Sequence, residues 1–234
     1  MGTMELAGSV VLVTGASSGI GAATARAAAD AGSKVVLTAR RADRIDALAA
    51  ELPDALAVQT DVTHEGDLAN AVEQALAHFG RVDVLINNAG QGLHEPIERI
   101  RLDDLRAVLE LNVVAALAAM QAVIPPMRRQ GAGAIVNVSS GTTLHRMPGV
   151  GGYAASKAAL NTLSETARLE LADAGIVVST VYPRITDTEF HDVLRAGELR
   201  AGAPRGHSPE QVAGVVLDLV RSGEERAVLP APTA

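Results

Sequence analysis

The chain has no cysteine, which excludes disulfides, thiol catalysis and thiolate metal sites together and suits a reducing compartment such as the cytoplasm. It lacks a basic run, and its formal net charge of -7 repels phosphate backbones, so a small molecule rather than nucleic acid is the expected partner. Residues Met1 to Ala7 lack the basic segment and long apolar stretch of a secretory leader. The longest mostly apolar stretch, Val113 to Met127, contains Gln121 and Pro125-Pro126 and falls short of the roughly 20 residues that span a bilayer, so a cytoplasmic protein with no membrane partner is expected. No linker or shift of composition divides the 234 residues, a length that α/β folds commonly close as one domain, so a single domain over 1–234 is expected. His94, His145 and His191 lack the spacing of a ligand motif, and no metal is expected.

What the chain does have is an alternation. With 48% hydrophobic residues, short aliphatic runs read as strands at Ser9 to Thr14, Lys34 to Ala39, Ala55 to Gln59, Val82 to Asn87, Ala134 to Ser139, Ile176 to Tyr182 and Ala227 to Leu229. Alanine-rich stretches between them predict helices at Ile20 to Ala31, Ala42 to Leu52, Glu65 to His78, Arg101 to Gln130, Tyr153 to Asp173 and Pro209 to Arg221, the last with Ser208 as N-cap. Runs as apolar as Ala134-Ile135-Val136-Asn137-Val138 suit strands covered on both faces. The expected fold is α/β: a doubly wound, seven-stranded parallel sheet, Rossmann-like, with helices on both faces. Pro183 to His207 has no long periodic pattern and follows the C-terminal end of a strand, where such sheets place ligands, so it is expected to be a substrate lid.

After the first strand, Thr14-Gly15-Ala16-Ser17-Ser18-Gly19-Ile20-Gly21 opens directly into a helix. Glycines permit close backbone approach and the helix N-terminus offers free N–H groups, so this turn is expected to bind a pyrophosphate rather than serve as a plain connection. Tyr153 and Lys157 are four apart in a predicted helix, hence on one face, able to address one ligand together.

The motifs Thr14-Gly-x-x-x-Gly-x-Gly21, Asn87-Asn88-Ala89-Gly90 and Tyr153-Ala-Ala-Ser-Lys157, in this order, resemble the short-chain dehydrogenase/reductase family over Leu6 to about Thr188. The resemblance implies a nicotinamide cofactor held by Gly15, Ser17, Ser18, Gly19, Ile20 and Gly21, with Asp61-Val62 at the adenine and Asn88, Ala89 and Gly90 beside the ribose. It also implies Tyr153 as general acid/base, Lys157 tuning that phenol and holding the ribose, and Ser140, thirteen residues before Tyr153, holding the substrate oxygen. Asn112 resembles the asparagine whose helix kink fixes a water leading to Lys157, and Pro183, Thr186 and Thr188 fall where the family meets the nicotinamide carboxamide. Asp61 as a helix cap and Asn112 as a solvent-facing residue are the plainer alternatives.

The second strand ends Thr38-Ala39-Arg40-Arg41, with no carboxylate to meet both ribose hydroxyls before Asp43. Arg40 offers a planar fork to a 2′-phosphate, so NADP is expected over NAD; the alternative is that Arg40 and Arg41 merely flank a solvated helix start. Arg184 replaces the glycine usual after Pro183, which implies either an altered turn or a cation at the substrate mouth. The loop Thr142 to Gly152 should line the pocket, and the few residues after Leu229 leave the Pro183 to His207 segment as its main cover. The expected function is hydride transfer between NADP(H) and a ketone, aldehyde or secondary alcohol, by a homodimer or homotetramer formed through the two alanine-rich helices. The rival is a nucleotide-sensing binding protein of the same fold without catalysis.

Overall fold

Every predicted strand forms in the computed structural model: β1 (Val10–Thr14), β2 (Lys34–Ala39), β3 (Ala55–Gln59), β4 (Val84–Asn87), β5 (Gly133–Val138), β6 (Ile176–Tyr182) and β7 (Arg226–Val228). The structure describes residues 4–198 and 206–230; Met1 to Thr3, residues 199–205 of the predicted lid, and Pro232 lie outside them. All pairings are parallel, in the order β3-β2-β1-β4-β5-β6-β7. Because β1 is followed outward by β2 and β3 on one side and by β4 on the other, the direction of winding reverses at β1 and β4. The crevice beyond their C-terminal ends is where such sheets bind ligands.

The period of two along β1 sends Val11 and Val13 to one core and Val10 and Leu12 to the other, and all four are buried. The first core is closed by α1 (Gly19–Asp30), α2 (Ala42–Glu51) and α7 (Pro209–Ser222) through Ala25, Ala28, Ile45 and Val216. The second is closed by α3 (Asp67–Phe79) and α5 (Ala115–Gln130) through Leu68, Val72, Met120 and Val123. Each such aliphatic side chain contributes about 1.5–3 kcal/mol on burial. On the face of the second core runs a polar strut: Asn87 Nδ2 donates to Asn137 Oδ1 (2.9 Å) and to Ala116 O (3.1 Å), and Asn137 Nδ2 donates to Ser164 Oγ (2.8 Å).

Boundaries moved where side chains or glycines intervene. Asp83 Oδ2 accepts the Val10 N–H at 2.8 Å, so β4 starts at Val84 instead of Val82. Gly66, in the left-handed region at φ 90°, ends the turn before α3, which therefore starts at Asp67 and not at Glu65. Ser208 and Gln211 form a reciprocal capping box at the start of α7, with Pro209 in its first turn. The long helix expected at Arg101 to Gln130 is α4 (Leu102–Leu109) and α5 joined by a π-helical turn, Glu110–Val114, with Asn112 buried in it. By length and composition the run Leu102–Gln130 is apolar enough to cross a bilayer, contrary to the reading of Val113 to Met127 alone; one face of it, Ala119, Met120, Val123 and Met127, packs in the second core.

Candidate functional site

The turn after β1 is shaped by what its neighbours leave free. Thr14 Oγ1 accepts the N–H groups of Asn88 (3.0 Å) and Ala89 (3.1 Å), while Asn88 Nδ2 donates to the carbonyls of Thr14 (2.9 Å) and Gly15 (3.2 Å). The ends of β1 and β4 are thereby locked together, and the Asn88 side chain is spent on the lock. At Gly21 a β-carbon would stand 2.3 Å from the Gly15 carbonyl oxygen, so only glycine lets α1 start this close. Ser18, the N-cap of α1, makes no side-chain capping bond, which leaves the first N–H groups of α1 uncapped by any side chain, as an anion would need.

The two arginines after β2 diverge. Arg40 is exposed beside the cleft, its guanidinium makes no hydrogen bond within the described residues, and its charge acts on Asp61. Arg41 turns back instead: Nη2 donates to Ser17 Oγ and Ser18 Oγ at 2.8 Å each, and Nη1 to Glu189 Oε2 at 3.1 Å. Burial raises the Asp61 carboxyl, but hydrogen bonds from the Thr63 hydroxyl and N–H, with the charge of Arg40, leave it below its usual value. Asp61 thus forms a local turn with Thr63, and Val62 lines the cleft beside it.

At the other end of the cleft, α6 (Gly151–Leu171) carries Tyr153 in its first turn and Lys157 one turn later, both buried. Lys157 Nζ donates to Val138 O at 2.8 Å, and burial pushes the ammonium down to about 8. Burial pushes the Tyr153 phenol up to about 12, with a hydrogen bond to the Ser140 side chain working the other way. Among the chain's own groups, desolvation of the phenolate is the larger influence on Tyr153 and the Ser140 hydrogen bond the smaller. Ser139 and Ser140 have separate tasks, since Ser139 Oγ donates to Asn161 Oδ1 at 2.5 Å whereas Ser140 turns toward Tyr153. Asn112 lies inward, not toward solvent; Nδ2 donates to Gln91 O and Ser156 Oγ (3.0 Å each) and Oδ1 accepts the Gln91 N–H (2.9 Å). It flanks Gly90 together with Lys157 Nζ.

Pro183 O accepts the Gly141 N–H at 2.7 Å, which ties the turn after β6 to the Ser140 loop. No described residue other than glycine has positive φ, so Arg184 sits in ordinary backbone, exposed, as a cation on the cleft wall. Thr186 is buried and donates to Arg184 O (3.1 Å), while Thr188 packs against Gly19 and accepts the Phe190 N–H (3.2 Å). The described part of the segment after β6 is docked: Arg195 Nε donates to Asp104 Oδ1 at 2.7 Å, and the His94 N–H to Ala196 O at 2.9 Å.

The Phe190 ring packs at a tilt 5.9 Å from the Tyr153 ring and His94 edge-on at 6.5 Å, and His191 packs behind both, against His94 and Phe190; the motifs singled out none of the three as site residues. Burial lowers the imidazoles of His94 and His191, so both are neutral at pH 7. Arg41 and Glu189 also went unnoticed as site residues; the serine and glycine turn gives no sign of which arginine folds onto it. The cleft joining these groups encloses about 1700 Å³, larger than the roughly 300–1,000 Å³ of a pocket for one small ligand, so it has room for a dinucleotide and a substrate together. The uncapped start of α1, the crowded Gly21 and the cations at Arg40 and Arg41 suit the diphosphate and adenosine end of such a cofactor.

Residues 9–199 match the family model of the short chain dehydrogenases. A 3-oxoacyl-[acyl-carrier-protein] reductase of Synechocystis is 36% identical over 90% of this chain and 88% of its own. An uncharacterized oxidoreductase of Listeria innocua is 32% identical over 95% of this chain and 94% of its own. Among solved structures, the 3-ketoacyl-(acyl-carrier-protein) reductase of Brucella melitensis complexed with NADH superposes with a TM-score of 0.87 at 30% identity, covering 95% of this chain and 96% of that one. A short-chain dehydrogenase of Sphingobium yanoikuyae in complex with NADPH does so with a TM-score of 0.85 at 35% identity, covering 96% and 89%. The nicotinamide is common to these two neighbours and the 2′-phosphate is not. Motif order, sheet topology and similarity along nearly the whole length agree, and the chain belongs to the short-chain dehydrogenase/reductase family of oxidoreductases.

Proposed function

We propose that this chain is an NADP(H)-dependent carbonyl reductase or alcohol dehydrogenase, a single domain working as a homodimer or homotetramer in the cytoplasm, with Tyr153 as its proton donor and acceptor. The observation that carries the reading is the buried Tyr153 phenol, held protonated beside Ser140 at one end of a cleft whose other end carries Arg40 and Arg41. A bound NADPH supplies the hydride. Ser140 and Tyr153 orient the substrate oxygen, and Tyr153 delivers its proton as negative charge develops there. The cation at Lys157, one turn behind, favours the phenolate that is left and faces Gly90 on the ribose side. Asn112 acts at one remove, by holding the Gln91 backbone and Ser156 in place.

Two similar proteins named as 3-oxoacyl and 3-ketoacyl reductases support a ketone among the substrate groups. The complete Ser140, Tyr153 and Lys157 set counts against a binding protein without turnover. The missing carboxylate after β2 and the presence of Arg40 and Arg41 support NADP over NAD. The test is the initial rate of NADPH oxidation, with NADH in parallel, across small, bulky, cyclic and acyl carbonyls. A faster rate with NADPH is expected on at least one carbonyl; a preference for NADH overturns the cofactor assignment, and tight nucleotide binding without turnover on any of them favours the binding-protein reading.

A further inference from the structure

Glu189 lies in the first turn of the lid, 148 residues from Arg41, yet its carboxylate meets two arginines of the adenosine end. Oε1 and Oε2 each accept from Arg44 Nη1 at 2.8 Å, and Oε2 also accepts from Arg41 Nη1 at 3.1 Å. These cations hold the Glu189 carboxyl below its usual value. Among the described residues no other carboxylate pairs with Arg41 or Arg44. The remaining donors of Arg41 point at the hydroxyls of Ser17 and Ser18, on the turn that opens α1.

Two guanidiniums backed by two hydroxyls make a set of donors suited to a phosphate monoester, whose oxygens accept from planar forks. In this structure part of that set is taken by a carboxylate from the chain itself. The lid keeps it there: Thr188 caps the turn by accepting the Phe190 N–H, and Phe190 is packed against Tyr153. A competitor tethered in this way needs no encounter from solution and acts at a high effective concentration.

Resting on the NADP reading, we propose that Glu189 is a specificity-determining residue: its carboxylate is an internal competitor for the site of the cofactor's 2′-phosphate, and so narrows the advantage of NADP(H) over NAD(H). A ligand with a 2′-phosphate must displace Glu189 from Arg41 and Arg44, whereas a ligand with free ribose hydroxyls leaves the pairs in place. Neutralising the carboxylate removes the competition while the arginines and serines stay.

The experiment is calorimetric titration of the full chain and of Glu189→Gln with adenosine 2′,5′-bisphosphate and with 5′-AMP, at low and at high salt. Glu189 is exposed and the substitution keeps its shape. The bisphosphate is expected to bind the variant roughly three- to ten-fold more tightly than the unmodified chain, with 5′-AMP changed less than about two-fold, and the gain should shrink in high salt. Unchanged or weaker bisphosphate binding, or an equal gain for both ligands, overturns the role of Glu189 even where the bisphosphate remains the preferred ligand. Equal affinity for the two ligands in both proteins overturns the NADP reading, and this inference with it.

Discussion

At the scale of single residues the site is organised by burial. A phenol at about 12 and an ammonium at about 8, one helical turn apart, lose their protons at well-separated pH. Reduction needs the protonated phenol, which persists far above neutrality, and draws on the Lys157 cation, which is lost as pH rises through about 8. The expected profile of kcat/KM for carbonyl reduction is flat from about pH 6 to 7 and falls above about 8, whereas alcohol oxidation, which needs the phenolate, rises with pH. Initial rates in both directions across this range check it. A reductive limb that titrates below the ordinary imidazole range would instead make His94 or His191 the controlling group. Tyr153, Lys157 and Ser140 were legible in the sequence because their spacing within the motifs is fixed by one helix and one strand end. Glu189 was not, because its partners Arg41 and Arg44 lie about 150 residues away in the chain and meet it only in the folded structure. The direction of the Tyr153 shift was also hidden, since four-residue spacing reports proximity to Lys157 but not how dry the site is.

At the scale of elements, the alternation of apolar strands and alanine-rich helices was enough to place all seven strands, because the inner strands β1, β2, β4 and β5 are buried on both faces and apolar nearly throughout, while the edge strands β3 and β7 are less buried. The π-helical turn at Glu110–Val114 has no such signature: it adds a residue to one turn without altering the composition of the helix around it. Its consequence is energetic. Asn112 is fully buried there and satisfies both the N–H and the carbonyl of Gln91, so Asn112→Ala strands two main-chain groups. The variant is expected to lose about 1–3 kcal/mol of stability per group left unsatisfied, measured by urea unfolding. An unchanged midpoint would mean that water replaces the amide without loss. The irregular character of the segment after β6 was legible in the sequence, but the docking of its described part through Arg195 on Asp104 and Ala196 on His94 depends on loops distant in sequence.

At the scale of the whole molecule, parallel strands joined by helical crossovers were legible in the sequence, but their order was not; it is the fold that puts the reversal at β1 and β4 and so decides where the cleft lies. The outward face of the molecule is less determined by the sheet. Val114 and Leu169, on the helical elements proposed to pair between subunits, are 49% and 80% exposed. Covering such side chains removes apolar area from water, so sedimentation velocity is expected to give a dimer or a tetramer; a monomer at micromolar concentration would contradict that assembly. The central claim, that this cleft moves a proton through Tyr153 during NADP-linked carbonyl reduction, is tested most directly by Tyr153→Phe, assayed for NADPH oxidation with the best carbonyl and for NADPH binding by fluorescence. The account predicts a rate lower by about 10²–10⁴-fold with cofactor affinity nearly unchanged. Turnover that survives the substitution would contradict it.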